Sequence, residues 1–195
     1  MQHRWWREAG EEPSLWSKCR LWHPEQYRRY RSYDKLELHE LLTLRRFQAL
    51  EFLHLDCSLE GLSISIDLLQ SVLTHGPALK KLTLEFGGWE QLEYLCDSAD
   101  QVASILVKFE ELDLSEDEDL EVAFTYTRAA RAVMGGLLKA LPQEGAKLKV
   151  LTILGLQMFV EPYYFESIDK LRQAGVKVNV IGDNIIWPEH WGDRL

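Results

Sequence analysis

The stretch Asp113-x-Ser115-x-Asp117-x-Asp119 puts four oxygen-bearing side chains at alternate positions, the spacing with which a calcium-binding loop begins. Such a loop turns on glycine at its sixth residue and closes with glutamate at its twelfth. Here those positions hold Glu118 and Phe124, so a solvated acidic insertion is the better reading. The six histidines, at positions 3, 23, 39, 54, 75 and 190, show neither an HExxH pattern nor Cys/His pairing at zinc spacing. Cys19, Cys57 and Cys96 are odd in number and widely spaced, with no CxxC pair, which reads as free thiols in a reducing compartment. Gly87-Gly88 and Gly135-Gly136 lack the lysine and context of a phosphate loop; the first pair fits a turn, and the second interrupts a helical pattern. No G-x-S-x-G elbow occurs. The expectation is a chain with no catalytic residues, no cofactor and no metal.

The composition is that of an ordinary soluble globular protein. The 195 residues are 46% hydrophobic and 27% charged, enough for a sizeable core. No apolar run reaches the length of a membrane span. Twenty-two Lys and Arg against 31 Asp and Glu give a net charge of -9, which disfavours nucleic acid as a partner. The charge is uneven: residues 1–50 hold ten basic and seven acidic residues, and the remainder holds twelve and twenty-four. The start of the chain has no apolar core of a secretory signal, so cytoplasm or nucleus is expected.

A repeat runs through the acidic part. The pattern L-x-x-L-x-L appears as Leu50–Leu55, Leu79–Leu84, Phe109–Leu114 and Leu148–Ile153, with a degenerate copy at Gln173–Val178 and an irregular one at Tyr33–Leu38. The central markers Leu53, Leu82, Leu112, Leu151 and Val176 lie 29, 30, 39 and 25 residues apart. Alternation within each unit is the period of a strand with one buried face. Between units the period turns helical: Ile64, Leu68, Leu69, Val72 and Leu73; Val102, Ile105, Leu106 and Phe109; Val133, Met134, Leu137, Leu138 and Leu141; Phe165, Ile168 and Leu171. Ser98-x-x-Gln101 reads as a capping box, and Gly76, Gly145 and Gly175 stand where helices end. The long third interval is assigned to an insertion, Glu116–Tyr126.

Strand–helix alternation also builds doubly wound sheets, but those strands read as continuous apolar runs and their first turn is glycine-rich. The present pattern resembles the leucine-rich repeats. That resemblance implies an α/β fold, a short solenoid with parallel strands on the concave face and helices on the convex face. It covers residues 33–184, followed by a capping tail over 185–195 in which Trp187 and Trp191 close the end or meet a partner.

The first residues carry a second resemblance. Trp6-Arg7, a short spacer, then Pro13-x-Leu15-Trp16 and Leu21 resemble the C-terminal half of an F-box. The L-P-x-E-x-L stretch of the other half is not present ahead of Trp6. The resemblance implies a small helical segment with linker over residues 1–32, an N-terminally truncated F-box. Its implied adaptor-docking residues are Trp6, Arg7, Pro13, Leu15 and Trp16, toward a Skp-type adaptor and cullin; the alternative is that the tryptophans pack under the first repeat. Together the two resemblances imply a non-catalytic substrate-recognition subunit of a cullin ubiquitin ligase, or a ligase-independent scaffold. The target protein would meet the outward strand positions Phe52, His54, Asp56, Lys81, Thr83, Glu85, Glu111, Asp113, Ser115 and Thr152, with the rim at Glu116–Tyr126 an equal contender. The third strand is acidic, which favours a basic partner near it.

Overall fold

The computed structural model describes residues 18–21, 49–57, 64–86, 89–116, 123–154 and 162–181. Outside them lie Trp6, Arg7, Pro13, Leu15, Trp16, the unit Tyr33–Leu38, Gly87-Gly88, Asp117, Asp119, Trp187 and Trp191.

Six strands are described: β1 (Lys18–Leu21), β2 (Phe52–Cys57), β3 (Lys81–Phe86), β4 (Glu111–Glu116), β5 (Val150–Leu154) and β6 (Lys177–Ile181). The helices are α1 (Ile66–His75), α2 (Trp89–Asp97), α3 (Ala99–Leu106), α4 (Ala123–Ala140) and α5 (Pro162–Gln173). Every pairing is parallel, and the strands lie side by side in chain order. The molecule is thus a mixed α/β protein on one parallel sheet.

Sequential order has a consequence for layering. Crossovers between parallel strands keep one hand, so successive connections in one direction lay their helices on one face. Burial follows that rule. Leu53, Leu55, Leu82, Leu84, Leu112, Leu114, Leu151 and Ile153 alternate with polar neighbours, and none is more than 1% exposed. They form one apolar cluster with Leu69 and Val72 of α1, Leu92 and Leu95 of α2, Val102 and Leu106 of α3, Val133 and Leu137 of α4, and Ile168 and Leu171 of α5. Each fully buried leucine contributes about 2 kcal/mol.

The backbone ladder extends one residue ahead of the strands. The carbonyl of Glu51 accepts from the Lys80 N–H, Lys80 from Glu110, Glu110 from Lys149, and Lys149 from Lys177, at 2.8–2.9 Å. This sets Glu51, Lys80, Glu110 and Lys149 in line with alternating charge. Lys80 Nζ reaches Glu51 at 3.4 Å, and Lys149 Nζ reaches Glu110 at 2.8 Å. The Lys149 hydrogen bond holds the Glu110 carboxyl below its ordinary range.

Helix α1 is capped as its sequence allows. Ser65 is extended (φ -133°, ψ 157°), and its Oγ accepts from the Leu68 N–H at 3.1 Å. Asp67 lies in the first turn, where the helix dipole favours a negative charge. At the other end the Gly76 N–H donates to Val72 O, where the sequence places the stop. Ser65→Ala should cost about 1 kcal/mol, read as a lower urea midpoint with unchanged slope. A loss under about 0.3 kcal/mol would show that the cap contributes nothing.

Five expectations change. The capping box at Ser98 does not form. Ser98 joins α2 to α3 at φ -109°, ψ 14°, and its side chain makes no cap bond. A capping hydroxyl needs an extended residue, whereas here the Ser98 N–H still donates to Tyr94 O of the preceding helix. Helix α2 itself goes unannounced in the four helical sets, although Leu92 and Leu95 give it a buried side. The degenerate last unit is shifted by two: Leu151 pairs with Val178, not Val176. A two-residue slip keeps every side chain on its face, so alternation cannot detect it. Gly175 (φ 90°) turns the chain first, and the Val176 N–H donates to Leu171 O before the strand starts.

The fourth change concerns the start. Within residues 1–32, expected to be helical, Lys18–Leu21 is a strand paired with β2, with Cys19 opposite Leu53 and Leu21 opposite Leu55. The sheet therefore begins before residue 33. Four residues of alternation are too few to tell a strand from a helix by pattern. The insertion Glu116–Tyr126 also divides: Glu116 ends β4, and Ala123–Tyr126 opens α4.

Candidate functional site

The face of the sheet opposite the leucines carries the remaining side chains in three rows across the strands. By backbone register the first holds Lys18, Phe52, Lys81, Glu111, Val150 and Lys177; the second Arg20, His54, Thr83, Asp113, Thr152 and Asn179; the third Asp56, Glu85, Ser115, Leu154 and Ile181, with Lys18, Arg20 and Leu154 placed by register alone. The ten residues picked from the sequence fall in these rows, with Asp56 placed by register alone. The outward set expected from the sequence stops at the fourth unit and so lacks Lys177, Asn179 and Ile181. The alternation Lys177-Val178-Asn179-Val180 would have supplied the first two.

Side chains within the rows are tied to one another. Lys81 Nζ lies 2.6 Å from Asp113 Oδ2, 3.9 Å from Glu111 Oε2 and 5.7 Å from the centre of the Phe52 ring. Thr83 donates to the same Asp113 oxygen at 3.3 Å. Thr83 is 7% exposed, so this bond satisfies a hydroxyl that water barely reaches. His54 Nε2 meets Glu85 Oε2 at 2.8 Å between β2 and β3. The Ser115 hydroxyl donates to Leu84 O at 3.5 Å, and Asn179 Nδ2 donates to Thr152 Oγ1 at 3.5 Å. At the far edge Ile181 is 57% exposed. The face is graded: charged over β2–β4, and over β5 and β6 uncharged apart from Lys177, with an apolar edge at Ile181.

This arrangement displays donors, acceptors and one aromatic ring on a rigid floor. The hydroxyls of Thr83 and Ser115 are both engaged in hydrogen bonds. The described thiol of Cys96 sits on α2 instead, and burial pushes it upward, with Arg128 opposing in part. Among the described residues no group of three His, Cys, Asp or Glu side chains is placed to hold a metal ion, and no helix is long and apolar enough to cross a membrane.

Away from the sheet, an open groove of about 570 Å³ lies where the α2–α3 junction meets α4, with Arg128, Arg131, Gly135 and Lys139 along it. Lys139 spans it to Asp100 at 2.9 and 3.0 Å.

Comparison with protein-family models, curated proteins and solved structures found no match for this chain. The polar face of the sheet and the sequence patterns are therefore the basis for a functional reading.

Proposed function

We propose that the chain is a non-catalytic protein-binding module, a short leucine-rich-repeat-like solenoid that receives a target protein on the open face of its sheet. One observation carries the reading. Parallel sheets ordinarily have both faces covered. Here one face is packed with leucine against helices, while the other bears hydrogen-bonded polar side chains across strands laid in chain order. A sheet wound in one direction from repeated strand–helix units supports a solenoid, whose strands form the docking surface.

The F-box-like motif Trp6, Arg7, Pro13, Leu15 and Trp16 extends the proposal to substrate recognition for a Skp–cullin ubiquitin ligase in the cytoplasm or nucleus. The test is capture of a purified Skp adaptor, and then its cullin, by the whole chain. Capture is expected, with at least a tenfold loss in the pair Leu15→Asp and Trp16→Ala. An adaptor that does not bind a folded chain sinks the ligase role.

A second reading, a ligase-independent scaffold, is favoured by β1. Lys18–Leu21, which overlaps the end of the F-box-like motif at Leu21, belongs to the sheet, which supports a role for this segment in the repeats. It expects target binding with no adaptor capture and no change in target turnover.

A further inference from the structure

We propose that the segment received by the open face is basic: an extended stretch of the target protein that sets a lysine or arginine side chain on the carboxylates of β4. The inference rests on the reading of this face as the target-binding surface and adds the chemistry of the partner.

A cation already occupies the position. Lys81 Nζ is held by Asp113 at 2.6 Å and Glu111 at 3.9 Å, above the Phe52 ring at 5.7 Å. Two carboxylates and an aromatic face are what recognise an ammonium or guanidinium group. In the free chain the ammonium is the protein's own, a stand-in for the ligand side chain.

That lysine leaves negative charge over. On β4 the carboxylates of Glu111 and Asp113 outnumber Lys81 two to one. Asp113 is 13% exposed and spends one oxygen on Lys81 and Thr83. Glu111 is 49% exposed and only loosely held. It is therefore the carboxylate that an incoming cation meets first, and Lys81 is the charge against which that cation competes. An acidic segment would meet the opposite: one engaged lysine behind two carboxylates.

The sign of the Lys81 effect tests the proposal. The whole ¹⁵N-labelled chain is titrated with three synthetic peptides of equal length: alternating Arg–Ser, Gln–Ser and Glu–Ser. The Arg–Ser peptide is expected to move amide signals of β2–β4 and to bind most tightly. Glu111→Gln should weaken it about threefold and Lys81→Met should strengthen it about threefold, the effect of one unit charge about 6 Å away in water-like surroundings. Glu144→Gln, on the exposed turn after α4 and outside the strands, should leave it unchanged. If Lys81→Met does not fold, Glu111→Lys at an exposed position takes its place, with a loss of about tenfold expected from two units of charge. Tighter binding of the Glu–Ser or Gln–Ser peptide on these strands, or weaker Arg–Ser binding in Lys81→Met, overturns the basic partner and leaves the docking face standing. If no peptide moves an amide of β2–β4, the docking face falls with it.

Discussion

Phe109→Ala should cost about 3–5 kcal/mol, a large part of the 5–15 kcal/mol by which domains of this kind are stable. Phe109 is fully buried and heads the large side chains that water does not reach. It stands in the turn that carries α3 into β4, its N–H donating to Leu106 O at 3.2 Å, so its ring fills the corner between helix layer and sheet. Alanine there loses the transfer energy of the ring and leaves a cavity that a backbone bound on both sides closes poorly. Phe109→Leu keeps most of the apolar volume and should lose less than half as much. Urea unfolding followed by circular dichroism reads both. A loss under about 1 kcal/mol in the alanine variant would mean that the corner collapses freely.

Two adjacent glycines should respond in opposite directions. A Cβ on Gly136 would lie 2.8 Å from Ala103 Cβ and 2.8 Å from the Ala99 carbonyl oxygen, whereas at Gly135 nothing stands within 4 Å. Gly136 is the point where α4 and α3 touch backbone to backbone. Gly136→Val should lose about 2–3 kcal/mol, because a carbonyl cannot step aside as a side-chain tip can. Gly135→Ala removes a flexible residue from the middle of a helix without a clash and should gain about 0.5–1 kcal/mol. Thermal melting checks the pair, and equal responses would refute close packing at this contact. In the sequence the two glycines look the same; only the neighbouring helix separates them.

The same distinction governs how much was readable beforehand. Alternation and helical periodicity came from strong, local burial, so Leu53, Leu82, Leu112 and Leu151 were assigned to one face and fell opposite one another. The outward set from Phe52 to Ser115 follows from the same parity. What parity cannot see went astray: the two-residue register of Val178, and the four-residue strand at Lys18–Leu21. Ser98 has the right composition for a cap, but its dihedrals are set by a helix arriving from Tyr94. The pairing of Lys81 with Asp113 was likewise not legible, since it depends on which strands become neighbours.

The charges just ahead of the strands carry a consequence for how such a chain can change length. Glu51, Lys80, Glu110 and Lys149 alternate in sign along the sheet. Deleting one internal unit would bring Glu51 beside Glu110, or Lys80 beside Lys149. Deleting or duplicating two units together would preserve every attraction. Exposed pairs like these are screened by water and contribute little, so the alternation biases inheritance without dictating it. Lineages of this chain should gain and lose repeats in even numbers more readily than in odd ones.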